Sequence, residues 1–303
     1  MDIRVKGIVL SLLAGIFWGG MGVASQYLID QFHFTPWQMV TPRMLIAGFI
    51  LFLLTLFQKP SMAFAPWKRW IDLRDTVIFG IVIVLCQITY FLCIQQANAP
   101  TAAVLSATCP LWIMFIMDCF QHKKIPLRVI LLGLMALFGV GLMVSRGSLD
   151  NLLLSWYGTF FGLFSAASMA VYTLQPQKVF KRIGIGPATA WAMMFTGIFT
   201  IPFAPFWDMQ NVHWCLTSVI FYFVVVVGCA ILAYLCYMNS AKLIPPDITG
   251  LMETVEPITS VILSIIFLGL ALNLWEIIGG AMILLAVVEL ARKPHHKPTS
   301  KIK

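Results

Sequence analysis

The stretch that decides the fold runs from residue 76 to residue 119, TVIFGIVIVLCQITYFLCIQQANAPTAAVLSATCPLWIMFIMDC. It contains two apolar blocks, 76–95 and 99–119, each about 20 residues long. A helix rising about 1.5 Å per residue needs that length to cross a hydrocarbon core about 30 Å thick. In lipid no water is at hand for an open backbone, so each block must be a helix that satisfies its own hydrogen bonds. The alternating in-out pattern that an outer-membrane barrel requires is not visible.

Blocks of the same size recur outward from this pair. The expected spans are 6–28, 36–57, 76–95, 99–119, 126–145, 154–176, 187–207, 214–238, 248–269 and 274–291. The expected fold is therefore an all-α integral membrane protein of ten transmembrane helices. Composition agrees, since 60% of the 303 residues are hydrophobic and 11% are charged, against roughly 25% charged in a soluble domain. Trp37, Trp67, Trp70, Trp156, Trp207, Trp214 and Trp275 fall near span edges, where indole rings favour the headgroup level.

The formal net charge is +8, which invites a nucleic-acid reading, but the distribution of the charges speaks against it. Eighteen of the 20 Lys and Arg fall in the termini and the even-numbered loops or, like Lys6 and Arg128, at the span edges that border them; Arg146 stands alone in the odd-numbered loops and Arg43 lies inside the second span. Positive residues concentrate on the cytoplasmic side of membrane proteins. The expected location is the plasma membrane, multi-pass, with both termini cytoplasmic, and no nucleic-acid partner. The segment 292–303, RKPHHKPTSKIK, reads as a basic cytoplasmic tail near the lipid surface. Its His295 and His296 read as tail residues. The seven Cys form no C-x-x-C pair and read as small core residues, so no metal and no disulfide is expected.

The two halves of the chain resemble each other. A shift of 147 places Pro110 on Pro257, Phe120 on Phe267 and Gly133 on Gly280 without a gap. Upstream, Tyr90 matches Tyr234 and Ala97 matches Ala241 at a shift of 144, and Gly7 matches Gly158 at 151. The expected units are a first five-helix repeat over 1–147, a second over 152–291, and the tail. Five is odd, so the second copy enters the membrane from the opposite side. Inverted repeats of this kind underlie alternating access, with substrate held near the midplane between the halves.

Ten spans divided five and five resemble the drug/metabolite transporter superfamily, in its EamA-like branch. The residues that carry the resemblance are Phe17-Trp18-Gly19, Arg43, Ala97 through Pro110, Glu256-Pro257 and Gly279-Gly280. Many relatives have a Glu in the turn after the fourth and ninth spans, where this chain has Lys123 and Leu270; no role of that Glu carries over. The resemblance implies export of amino acids or related small metabolites.

Several residues have two readings. Glu253 and Glu256 share one face of the ninth span at i,i+3. A carboxylate at membrane depth must pair, face water or carry a proton, so the pair reads either as proton-coupling or amine-binding groups, or as hydrated residues near the cytoplasmic end. Pro110 and Pro257 sit mid-span, where each removes a donor and frees a carbonyl; they read as helix kinks, lining a polar cavity or serving packing alone. Arg43 reads as an outer-side charge that either binds an anionic group or snorkels to headgroups. Trp18, Gln87, Tyr90, Tyr172, Gln175, Tyr234 and Asn239 suit a substrate cavity, or serve individually as packing residues and interhelical bonds. Gly15, Gly19 and Gly22 allow close helix approach.

HExxH, Walker A and GxSxG signatures are absent, so no enzyme and no cofactor is expected. The expected partners are a small-molecule substrate, membrane lipid and protons, in a monomer or homodimer. An uncoupled facilitative carrier is the alternative within transport; a multispan membrane enzyme or a scaffold is the alternative outside it. The charge bias is tested by reporter fusions. A green-fluorescent fusion after Lys303 is expected to fluoresce and a periplasmic phosphatase fusion there to be inactive, with the reverse pattern for fusions in the loop holding Arg146.

Overall fold

A computed structural model of the chain describes residues 3–120, 127–145, 156–204, 212–241, 243 and 255–292. Among them the long elements are all helices: α1 Ile3–Phe32, α2 Pro36–Gln58, α3 Trp70–Gln96, α4 Ala99–Ser106, α5 Cys109–Phe120, α6 Leu127–Ser145, α7 Trp156–Leu174, α8 Ile185–Thr200, α9 Leu216–Phe223, α10 Ala230–Ala241, α11 Val255–Leu268 and α12 Leu274–Arg292. Each expected apolar stretch contains helix among its described residues. Among the described residues, four segments are long and apolar enough to cross a membrane by length and composition, namely Val5–Phe32, Pro36–Gln58, Trp70–Gln96 and Ala99–Met117.

Helix boundaries follow local chemistry. The α1 helix ends at His33, whose φ of 59° is the left-handed turn that closes many helices. Thr35 then caps α2 through a reciprocal box with Gln38, with Pro36 in the first turn. Asn98 caps α4 by accepting from Thr101 N at 2.8 Å, and Gln26 of α1 accepts from Ala99 N at 2.8 Å. The expected fourth span is divided: α4 and α5 are separated at Ala107–Thr108, and Pro110 lies in the first turn of α5. Pro257, matched to it by sequence, lies in the first turn of α11. A π-helical segment, Val224–Cys229, joins α9 to α10.

The packing pattern repeats itself. The α3 helix packs on α7 as α10 packs on α1, and α4 with α5 packs on α7 as α11 packs on α1. Two further pairs, α2 with α8 and α6 with α12, join corresponding helices of the two halves. Detail repeats too. Gly158 of α7 lies against Ala97 at the end of α3, and the carbonyl of its sequence match Gly7 accepts from Ser240 Oγ at 2.8 Å, next to Ala241, the match of Ala97.

Without a hydrophobic force between helices in lipid, association rests on close packing and on polar bonds. Both are present. A Cβ on Gly48 of α2 would lie 2.8 Å from the Met194 amide nitrogen and 2.9 Å from the Ala190 carbonyl oxygen of α8. One on Gly139 of α6 would lie 2.6 Å from the Gly279 carbonyl oxygen of α12. Thr41 donates to Thr200 across α2 and α8 at 2.8 Å, Ser165 to the Cys86 carbonyl across α7 and α3 at 3.0 Å, and Thr196 to the Gly80 carbonyl at 2.9 Å. Of the cysteines, Cys86, Cys93, Cys109 and Cys229 are buried, while Cys119 and Cys215 are exposed, which corrects the reading of all seven as core residues. Cys215 instead caps α9 with Ser218, a local role that follows from its place before the first helical turn.

At the expected cytoplasmic end, a charge cluster joins α3 to the short helix Gln177–Ile183 that follows α7. Arg182 bonds Asp72 and reaches Asp75 at 2.5 Å, and Arg74 flanks Asp75 at 2.9 Å. The Asp72 side chain is 2% exposed, so its charge relies on Arg182. Hydrogen bonds to Asp75 and Asp72 hold the Arg182 guanidinium above its ordinary value.

Two outcomes follow from these contacts. Gly48→Ala is expected to lower stability by about 1–3 kcal/mol, the usual cost of overpacking, while Gly133→Ala, with nothing within 4 Å of the new Cβ, leaves it level or higher; thermal unfolding of purified protein in detergent measures both. Arg182→Ala strands the buried Asp72 and is expected to cost about 1–3 kcal/mol, and adding Asp72→Asn to it is expected to recover part of that loss.

Candidate functional site

Arg43 stands in the third turn of α2, next to Pro42. Proline has no N–H, so the Gln38 carbonyl one turn earlier loses its helical donor. The Tyr222 hydroxyl of α9 donates to that carbonyl at 2.8 Å. This bond ties α2 at Pro42 to the second half of the chain and leaves Tyr222 within electrostatic reach of Arg43.

Arg43 does not snorkel to the surface; it is 2% exposed. One guanidinium nitrogen donates to Met21 Sδ of α1 at 2.6 Å and another to Gln87 Oε1 of α3. Its Cζ lies 4.9 Å from the centre of the Phe91 ring, a cation–π distance. Nε has no hydrogen-bond partner among the described residues. A residue eight positions inside an apolar helix is too deep to reach the headgroups past α1, α3 and α9, so burial replaces the expected surface role.

One turn along α3 from Gln87, Tyr90 donates to Glu256 Oε1 of α11 at 3.3 Å. Glycines of α1 make this meeting possible. A Cβ on Gly19 would lie 2.7 Å from the Glu256 carbonyl oxygen, and one on Gly22 would lie 3.1 Å from the Tyr90 hydroxyl. The small faces of Gly19 and Gly22, one turn apart, thus let α11 and the Tyr90 side chain close on α1. Ser260 and Ser264 continue the buried face of α11, and their hydroxyls have no partner among the described residues.

The structure therefore gathers Arg43, Gln87, Tyr90 and Glu256 around α3, with contributions from both halves of the chain. The other expected residues lie elsewhere. Trp18 packs on Tyr237 at 5.5 Å, and Tyr234 is buried in α10. Tyr172 packs on Phe79 at 5.2 Å, and Gln175 donates to the Asp75 carbonyl at 3.1 Å, so these two belong to the end of the molecule that carries the Arg182 cluster. Asn239 is exposed and donates to the Leu235 carbonyl of its own helix at 2.8 Å, so it does not face this centre. Glu253 lies outside the described residues. A separate apolar cleft of ≈ 250 Å³ between α4, α11 and α12 is lined by Pro100, Val104, Pro257, Val261, Glu276 and Gly280, among others.

Met21, Phe91 and Tyr222 escaped the sequence reading. The first two look like any apolar residue of a span. For Tyr222 a signal existed: Pro42 inside an apolar block leaves a carbonyl that some donor must satisfy.

Chemically, the arrangement offers a fixed positive charge and a protonatable carboxylate, each held by a neutral side chain of one helix. It lacks a nucleophile paired with a base. Comparison with known proteins fits a carrier. A protein of Salmonella typhimurium called uncharacterized inner membrane transporter YicL is 29% identical over 287 residues, covering 93% of this chain and 94% of its own length. An uncharacterized transporter of Bacillus subtilis, YwfM, is 23% identical over 306 residues, covering 98% of each. A solved crystal structure superimposes with a TM-score of 0.63 at 16% identity, over 97% of this chain and 100% of the other, a likeness of fold alone. The EamA-like transporter family matches twice, over residues 5–145 and 156–291, and the chain belongs to that family.

Proposed function

We propose that the chain is a secondary transporter that exports amino acids or related small metabolites by alternating access, in exchange for protons. Ten helices cross the plasma membrane in this reading, both termini lie in the cytoplasm, and the two five-helix repeats, 1–147 and 152–291, move against each other. The family supplies the transporter class. The repeated packing of α3 on α7 and α10 on α1 supports the inverted relation of the halves.

The observation that carries proton coupling is the Tyr90–Glu256 contact. It joins a hydroxyl from one half to a carboxylate from the other, inside the helical body. A carboxylate there interacts strongly with whatever changes its solvation. Motion of α11 against α3 breaks or makes this bond, so the protonation of Glu256 and the relative position of the halves are linked, as coupling requires.

The test is counterflow of a labelled amino-acid mixture in proteoliposomes under an imposed pH gradient. Glu256→Gln is expected to reduce gradient-driven flux at least tenfold and to abolish the dependence of the remaining flux on the pH gradient. Undiminished, still pH-dependent flux in the variant removes Glu256 from coupling. Equal wild-type rates with and without the gradient favour an uncoupled carrier.

A further inference from the structure

Two opposite charges, the buried Arg43 and the half-buried Glu256, stand beside one helix face without pairing with each other. No carboxylate of the described residues lies within ion-pair distance of Arg43. Its acceptors are Gln87 Oε1 and a thioether sulfur, a weak acceptor, and Nε has none. A guanidinium carries five donors in a planar fork that matches a carboxylate through two parallel bonds. On the other side, Glu256 receives a single long bond from a phenol. Two carboxylate oxygens have room for several donors, and an ammonium brings three.

Gln87 and Tyr90 stand i,i+3 on α3, so they share a face and are separated by about one helical turn, roughly 5 Å. Both Cys86 and Tyr90 lie within electrostatic reach of Arg43 and of Glu256. The positive and the negative group therefore flank the same turn of α3, and the two neutral side chains between them hold places that charged ends of a ligand fill better.

We infer that the transported molecule is a zwitterion whose carboxylate binds Arg43 in place of Gln87 and whose ammonium, a few bonds away, binds Glu256 in place of the Tyr90 hydroxyl. This assignment rests on the transporter reading above. It gives that reading a coupling rule, because ammonium and proton occupy the same carboxylate in turn and so exchange for one another. The titratable groups facing Glu256 are Tyr90 and Cys86 of α3. Of the helices packed on α11, α4 carries no charge and α1 carries Arg4, Lys6 and Asp30 near its ends. On α12, Glu276 lines the same cleft as Pro257.

The test uses the full chain purified in detergent, with ligand binding followed by thermal stabilisation and by radioligand displacement. The probes are the L-amino acids and, for the tightest of them, its decarboxylated amine and its deaminated acid. The expected result is that one or more amino acids bind and that each analogue lacking one charged end binds at least tenfold more weakly. Arg43→Gln is expected to bring the amino acid down to the level of the amine and leave the amine unaffected. Glu256→Gln is expected to bring it down to the level of the acid and leave the acid unaffected. Arg43→Lys, which keeps the charge without the fork, falls between; together with the wild-type analogue comparison it decides the matter if Arg43→Gln does not fold.

The assignment is overturned if no amino acid binds, or if the amine or the acid binds the wild-type protein as tightly as the amino acid. Flux in proteoliposomes separates this failure from failure of the transporter reading. Transport of singly charged or uncharged metabolites alone retains the transporter and removes the two subsites. Zwitterion binding with the expected variant pattern but without flux retains the subsites and removes the transport.

Discussion

Inside a hydrocarbon slab no water stands ready to replace a missing hydrogen bond, and each unsatisfied backbone group costs several kcal/mol. That constraint makes every long element here a helix. It also explains the side chains that turn inward. Ser25, Thr55, Thr76 and Thr89 return their hydroxyls to carbonyls of their own helices. Ser165 and Ser240 spend theirs on a neighbouring helix. Where Pro42 leaves a carbonyl open, Tyr222 closes it. The same demand acts most severely on Arg43, whose charge is dispersed among an amide, a sulfur and an aromatic face.

Close approach between helices has a second source, the glycines. At Gly48, Gly139 and Gly19 a methyl group would strike the backbone of the facing helix. These three contacts belong to the pairs α2–α8, α6–α12 and α1–α11, each of which joins the first half to the second. At these points the halves meet through a glycine on one helix and the backbone and side chains of the other. Charged contacts hold a different place. The Arg182 cluster lies at one end of α3, while the opposite end of the bundle, where α1 turns into α2, is closed by rings: Phe34 on Trp214 at 5.1 Å and His33 on His213 at 5.4 Å.

The all-helical character of the fold was legible from blocks of apolar residues, because span length is a property of single segments. The repeat was legible because Pro110 and Pro257 mark corresponding first turns. The site was less so. Whether an arginine inside a span snorkels or is buried depends on what surrounds it, and the residues that bury Arg43 lie on α1, α3 and α9, far apart in sequence. Asn239 shows the converse: polarity inside an apolar block suggested a cavity, whereas its amide serves the carbonyl one turn back. The π segment Val224–Cys229 has no proline or glycine pair to announce it; such segments often accompany functional sites, and Cys229 lies within electrostatic reach of Arg43.

The position of Gln87 and Tyr90 carries the mechanistic argument one step further. Both belong to α3, which at its other end is tied through Asp72 and Asp75 to Arg182. Displacing Gln87 from Arg43 and Tyr90 from Glu256 would remove two polar bonds between α3 and its neighbours α2 and α11, leaving packing, the Ser165 and Thr196 bonds to its Cys86 and Gly80 carbonyls, and the Arg182 cluster to hold it. In the zwitterion proposal, a bound ligand that takes over both bonds loosens α3 from Gln87 onward, while the part up to Cys86 stays fixed. A helix held along one part and released along the other can tilt, and in the proposed transport cycle tilting at the junction of the two halves is the motion that alternating access needs.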